Sequence, residues 1–325
     1  MKRQSFIQHF AGIALGLILA SDTFAQEAGR TYRLGLLALT ESALAATREA
    51  TLPELAQHGF VESRNLIVDP AIGDADALPR LARTLFSRNP DVVYAISQAA
   101  IRAAQQASAD VPIAMFGDDP VQYGFAESLA RPGRNITGVT ILAAQLDAKR
   151  LHLLHEAIPS AHRIAALHVR GAPNRPDSEQ AMRDVAASAG LELVGFDVGE
   201  PAEYAQTFAA MHNINAHALV ITANPQLYRD GSKLATLALE TRLPTVCEWA
   251  EMARAGCVLG YGPNLLEMRR RAGEYIARLL QGTPPSTLPV EGPTHFKFAI
   301  NLKSARALGI EMPQSVLVRA DEVIE

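Results

Sequence analysis

Adjacent carboxylates, Asp118 and Asp119, follow the apolar run Ile113 to Phe116 and precede Pro120. Paired acids in a confined site can serve as general acid and base, or can jointly hold a ligand ammonium group. A second acidic centre, Glu248 and Glu251, brackets the single tryptophan, Trp249, just after the run Thr245 to Cys247. Carboxylates beside aromatic faces suit a molecule with an amine and an apolar body, and Tyr261 adds a further ring. Used catalytically, Asp118, Asp119 or Glu251 would act as acid or base in an exported hydrolase or lyase. The motifs that would complete such a site are missing from the sequence. It has no Gly-x-Ser-x-Gly elbow, no phosphate loop ending in Gly-Lys-Ser/Thr, no Gly-x-Gly-x-x-Gly after the first strand and no His-Glu-x-x-His. A binding role with no catalytic residue and no cofactor is therefore the leading expectation. His152, His155 and Glu156 have helical spacing but no companion cluster, so they read as helix surface and no metal is predicted.

These residues need a scaffold, and from Tyr32 onward short apolar runs alternate with helical patterns, the mark of parallel sheets covered by helices. Predicted strands of the first half are Tyr32 to Leu39, Asn65 to Asp69, Asp91 to Ile96, Ile113 to Phe116 and Ile136 to Val139. Helices are predicted near 44–58, 76–87, 98–107 and 121–130. After a helix at 145–157 the scheme starts again, with strands at Arg163 to Val169, Leu191 to Asp197, Ala218 to Ile221, Thr245 to Cys247 and Val258 to Tyr261. A long helix from Asn264 to Gln281 carries the stripe Leu265, Met268, Ala272, Tyr275, Ile276 and Leu279, and its Arg269-Arg270-Arg271 run reads as the solvated face opposite. A last apolar run, Phe296 to Leu302, precedes a charge-rich tail. The fold class is α/β: two doubly wound parallel-sheet lobes joined by hinge crossovers. The first lobe is 31–140 with part of 264–302, and the second is 141–263 with part of 290–325.

Ligands of open parallel sheets lie beyond the carboxyl ends of the strands. That rule selects Thr40, Ser42, Ser97, Gln98, Asp118, Asp119 and Thr140 in the first lobe, and His168, Asn224, Trp249, Glu251 and Tyr261 in the second. Several of these, Thr40, Ser42, Ser97 and the Asp118-Asp119-Pro120 turn, equally suit helix caps, and capping is compatible with ligand contact.

The first residues point to export. Lys2 and Arg3, an apolar stretch from Phe10 to Ala20, and Thr23-Phe24-Ala25 before Gln26 form a signal-peptide pattern over 1–25. The apolar stretch is too short to span a bilayer, so the mature protein is expected in the periplasm, not membrane-spanning and monomeric. A net charge of −4 with mixed signs supplies no basic footprint for nucleic acid. Cys247 and Cys257 can pair in an oxidising compartment or remain two buried thiols, and the second is favoured.

Gly117-Asp118-Asp119-Pro120-Val121 followed by Ser128-Leu129-Ala130-Arg131-Pro132-Gly133-Arg134-Asn135-Ile136-Thr137-Gly138 resembles the ABC transporter substrate-binding proteins, the family that includes tryptophan- and tyrosine-type binders. Tyr261-Gly262-Pro263-Asn264, Leu288-Pro289-Val290-Glu291 with Pro293-Thr294, Ile300-Asn301-Leu302-Lys303 and Arg319-Ala320-Asp321-Glu322-Val323-Ile324 extend the likeness over the whole mature chain. The resemblance implies the type I periplasmic-binding fold, a non-enzymatic small-molecule binder, and ABC permease and ATPase subunits as partners. It carries over the Asp119-Pro120 loop, Thr140, Glu251 and Tyr261 as pocket positions. Gln98-Ala99 stands where the family commonly has Thr-Pro, His168-Val169 where it has an aromatic residue and Asn, and Asn224 where it often has Asp. These departures fall at strand ends, so the likeness implies the fold and leaves the ligand open within an amino acid-like, aromatic or heterocyclic class. A sensory binding protein uncoupled from transport would share every one of these features.

Overall fold

The computed structural model describes residues 29–172 and 175–325. The expected signal peptide, 1–25, lies outside them. Contacts separate Met1–Arg30 from Thr31–Glu325, and the architecture below is that of the second unit.

Its first half builds β1 (Tyr32–Ala38), α1 (Glu41–Ala46), α2 (Leu52–Gln57), β2 (Leu66–Ile72), α3 (Leu78–Phe86), β3 (Val92–Ile96), α4 (Gln98–Ala107), β4 (Ile113–Gly117) and β5 (Ile136–Thr140). A π-helical stretch, Thr47–Thr51, joins α1 to α2. There follow α5 (Asp147–Ala157), β6 (Arg163–Val169), α6 (Arg175–Ala189), β7 (Glu192–Val198), α7 (Tyr204–Asn213), β8 (Ala218–Ile221), α8 (Pro225–Arg229), α9 (Gly231–Glu240), β9 (Thr245–Cys247), α10 (Ala250–Arg254) and β10 (Leu259–Pro263). The chain ends with α11 (Leu265–Leu280), β11 (Phe296–Asn301), α12 (Leu302–Ala307), α13 (Gln314–Leu317) and β12 (Glu322–Ile324).

Two sheets result. The first is parallel with strand order β2-β1-β3-β4-β5, and the second runs β12-β11-β10-β9-β8-β6-β7. Only the β10–β11 pairing is antiparallel among the registers of the described residues. Central strands β1, β3 and β4 are almost continuously buried, because helices cover both faces of a parallel sheet. The chain passes to the second sheet after β5. It returns after β10, when α11 packs on α2, β3, β4 and β5, and crosses again to place β11 and β12 in the second sheet.

Local chemistry explains the main elements. α3 buries Leu78, Ala82 and Leu85 at helical spacing and carries Pro79 in its first turn, where the missing N–H costs nothing. Asn264 caps α11 by accepting from the Glu267 N–H, while its own amide reaches the Glu267 carboxylate at 2.6 Å. Gly138 in β5 has φ +134°, and a Cβ there would meet the Met115 backbone, so only glycine lets β4 and β5 close up.

The structure corrects two expectations, the helix at 121–130 and the free thiols, and adds one short strand to the tail. Residues 121–130 form successive turns instead of a helix: Gly124 takes φ +71°, and the backbone N–H groups of Phe125 and Ala126 both return to the Pro120 carbonyl. The charged tail ends in a short strand, β12, parallel to β11. Cys247 and Cys257, taken as thiols, form a disulfide with Cα atoms 6.4 Å apart, tying the end of β9 to the start of β10 across α10.

Candidate functional site

In the second lobe the strand ends carry a buried polar cluster. Arg150 of α5 is fully buried; its guanidinium donates to Asp147 Oδ1 at 2.6 Å, to the Tyr261 carbonyl at 2.8 Å and to the Glu248 carbonyl at 3.2 Å. Asp147 also accepts from the Ser178 hydroxyl at 2.6 Å and from the Ala223 N–H. These bonds satisfy an ion pair that would otherwise be costly to bury, and they hold β8, β9, β10 and α6 in register behind the cleft. Glu248 is buried just after β9. Burial pushes its carboxyl up to about 8 against the pull of Arg150 and the Trp249 indole, with the negative Asp147 and Asp118 adding to the rise. A protonated carboxyl at neutral pH can both donate and accept a hydrogen bond.

His168 ends β6 only 2% exposed, and its Nε2 has no hydrogen-bond partner among the described residues. Burial lowers its pKa, opposed by Asp147 and assisted by Arg175, so the ring is neutral at pH 7. It lines a recess with Asp147, Arg175, Ser178, Thr222 and Asn224. Asn224 caps α8 by accepting from the Gln226 N–H.

The first lobe presents its own strand ends. Thr140, last in β5, is fully buried, and its Oγ1 has no hydrogen-bond partner among the described residues. Asp118 is buried after β4 and lies within electrostatic reach of Glu248 on the opposite lobe. Asp119 caps the following turn, its Oδ1 accepting from Val121 and Gln122 N–H groups, while Oδ2 takes a 3.2 Å bond from Gln145 in the crossover. Ser97 joins β3 to α4 at φ +104°, ψ 158°, a conformation costing about 1–3 kcal/mol for a residue with a Cβ. Its hydroxyl accepts from the Ala100 N–H, and Gln98 opens the helix behind it. The Thr40 hydroxyl pairs with Ser42 at 2.9 Å at the exposed end of β1.

Aromatic groups occupy the other side of the cleft. Trp249 is 3% exposed and meets Tyr228 of α8 edge-on at 6.2 Å. It lies close over β10 because a Cβ on Gly262 would overlap both the Glu248 carbonyl and the Trp249 ring edge. Arg269 of α11 stands 5.7 Å from the Phe116 ring and within hydrogen-bonding reach of Tyr228 on the facing lobe. The lobes also meet where Gln122 donates to Asp177 of α6 at 2.7 Å.

The strand-end rule thus places His168 and Asn224 in one second-lobe recess, Asp118 and Thr140 at adjoining strand ends of the first lobe, and Trp249 beside Glu248, with Ser97, Gln98 and Asp119 on turns after β3 and β4. It does not gather all twelve positions. Glu251 is half-exposed at the rim, 3.7 Å from Arg254. The Tyr261 ring stacks on Phe296 at 5.9 Å and meets Phe298 edge-on, within the layer of the second sheet that faces α5. Arg150 and Asp147 were absent from the sequence reading, whereas Glu248 stood out in it beside Trp249. The arginine run is corrected: Arg270 is exposed, but Arg269 is half-buried at the cleft, and Arg271 binds Glu274 through Nη1 and Glu291 through Nε and Nη2. Among the described residues no cluster of His, Cys, Asp and Glu is placed to hold a metal, and no helix is long and apolar enough to cross a membrane.

Two α/β lobes with facing strand ends and polar groups lining the space between them define a type I periplasmic-binding-like protein. The family model described as ABC transporter substrate binding protein matches residues 36–324, and the chain belongs to that family. A tyrosine-binding protein of Clostridioides difficile (strain R20291) is 23% identical over 282 residues, 86% of this chain and 81% of the relative. A conserved domain protein from Vibrio cholerae superposes with TM-score 0.84 at 24% identity, over 90% of this chain and 100% of its own. The ABC domain of a Streptococcus pneumonia protein in complex with L-Trp gives 0.83 at 23% identity, again over 90% and 100%. The ligand-free, open structure of a Clostridium difficile substrate-binding protein with adhesive properties gives 0.70 at 23% identity, over 91% and 99%.

Proposed function

We propose that this substrate-binding protein is exported to the periplasm, works as a monomer without covalent chemistry, and captures an amino acid-like or aromatic ligand in the interlobe cleft. ABC permease and ATPase subunits then receive the closed, loaded form. The observation that carries this reading is a set of buried polar groups from both lobes: Thr140 Oγ1 and His168 Nε2, without partners among the described residues, with the carboxyls of Asp118 and Glu248 within electrostatic reach of each other. Partnerless buried polar atoms cost about 1–3 kcal/mol each, and a ligand that bonds them recovers that cost only when both lobes are in place. The Asp118 carboxylate suits an ammonium group, the protonated Glu248 carboxyl can accept from it through its carbonyl oxygen, and Trp249, Tyr228 and Phe116 suit an apolar body. The names of a tyrosine-binding relative and of an L-Trp complex point the same way.

The test is a thermal-shift screen of the protein against amino acids, purines and other small metabolites, with calorimetry on the strongest. A ligand at a hundredfold excess over its Kd raises stability by about 2.7 kcal/mol. Asp118→Asn and Glu248→Gln are expected to weaken that ligand by about 1–3 kcal/mol each. A folded protein that no compound stabilises, or a ligand indifferent to both substitutions, would overturn the assignment.

A further inference from the structure

We propose that Arg269 is the specificity-determining residue that receives a carboxylate group of the ligand, so that the cleft selects carboxylate-bearing molecules over their amine and ester counterparts; this rests on the cleft being the ligand site. Arg269 lies in α11, which packs on the first lobe, yet its side chain reaches the cleft, over the Phe116 ring and toward the Tyr228 hydroxyl of the second lobe. A guanidinium stays charged at every accessible pH and offers five N–H donors. Half-buried guanidinium groups elsewhere in the molecule meet carboxylates: Arg33 with Asp69, Arg175 with Asp197, Arg271 with Glu291. Among the described residues, no carboxylate lies within 4.0 Å of Arg269. A phenol and an aromatic face leave donors of this five-N–H group over, and a guanidinium can offer a carboxylate two parallel N–H groups, one for each oxygen.

Charge placement argues the same way. Asp118 and Glu248 supply the acidic side of the cleft, and Tyr228 is within electrostatic reach of both Glu248 and Arg269. The cation and the acids are therefore separated by no more than a small molecule can bridge. A ligand with an ammonium and a carboxylate satisfies both sides, whereas an amine alone leaves Arg269 uncompensated. The Asp118 carboxylate also disfavours a dianionic phosphate, which would have to sit beside like charge.

Calorimetry with the full chain decides the matter, using tyrosine and tryptophan with their methyl esters, tyramine and tryptamine, simple mono- and dicarboxylates, and inorganic phosphate. For the wild type, the strongest binder should carry a carboxylate and lose at least about tenfold in affinity on esterification, roughly 1.4 kcal/mol. In Arg269→Gln the acid-to-ester ratio should fall toward one, and Arg269→Lys should retain part of it. Equal binding of acid and ester by the wild type, or undiminished discrimination by Arg269→Gln, refutes the assignment; the wild-type comparison decides even if the variant fails to fold. Tight binding of tyramine or tryptamine without preference for the parent acids sinks the role of Arg269 and leaves the cleft as the ligand site. Preference for phosphate over every carboxylate also sinks it, and no binding by any probe removes both.

Discussion

Glu248 is the residue whose chemistry departs furthest from its free form. Burial first, then Asp147 of α5 and Asp118 across the cleft, raise its pKa to about 8 despite Arg150. Between the unfolded value near 4.5 and about 8 the native state holds more protons than the unfolded state, so this group makes stability fall as pH rises through that window. Below it both states are protonated and the penalty vanishes. Glu248→Gln is therefore expected to melt close to wild type at pH 4.5 and above it by a widening margin toward pH 8. Parallel pH profiles of the two would refute the assignment. His168, with its lowered pKa, contributes the opposite slope, with stability lost as pH falls below about 6.5, and it is common to both proteins. Position after a strand was enough to single out Asp118, Thr140 and His168 in the sequence. Arg269 was not readable this way, since a residue at the edge of an apolar stripe looks solvated until a second lobe is placed against it.

At the scale of elements, legibility followed periodicity. α11 and the central strands carry strong apolar patterns and were placed within a residue or two. The turns at 121–130 have helix-like composition but begin with Pro120 and contain Gly124, and local backbone bonding to Pro120 prevails there. β12 is short and charged, and it exists because β11 offers an edge to pair with. The Cys247–Cys257 bridge was likewise invisible, because a separation of 10 residues says nothing of how β9 and β10 face each other. That bridge closes the loop carrying Glu248, Trp249 and α10. Replacing both cysteines with alanine should lower unfolding stability by about 2–3 kcal/mol, the entropy a loop of this length regains in the unfolded chain. Denaturant titrations with matched slopes check it; a loss under about 0.5 kcal/mol would show that packing alone holds the loop.

For the whole molecule, the restart of the strand–helix alternation was enough to expect two lobes that share the tail, while the elements that cross came from the structure: α11 packs on the first sheet, and β11 and β12 join the second. The arrangement with the lobes in contact is held partly outside the ligand site: Gln122 and Asp177 bond at the cleft mouth with no part in the buried cluster. A ligand that bridges the lobes stabilises the closed state by its differential affinity, and any lobe-to-lobe bond adds to the same equilibrium. Removing an exposed hydrogen bond to a carboxylate removes up to about 1 kcal/mol from closure. Asp177→Ala should therefore weaken ligand binding by a few fold, up to about fivefold, although Asp177 lies outside the proposed pocket. Small-angle scattering of the ligand-free variant should report a more open average, and saturating ligand should return it to the wild-type compact form. Unchanged affinity together with an unchanged scattering curve would mean that closure depends on the buried strand ends alone, leaving this rim contact without influence on the population of the closed state.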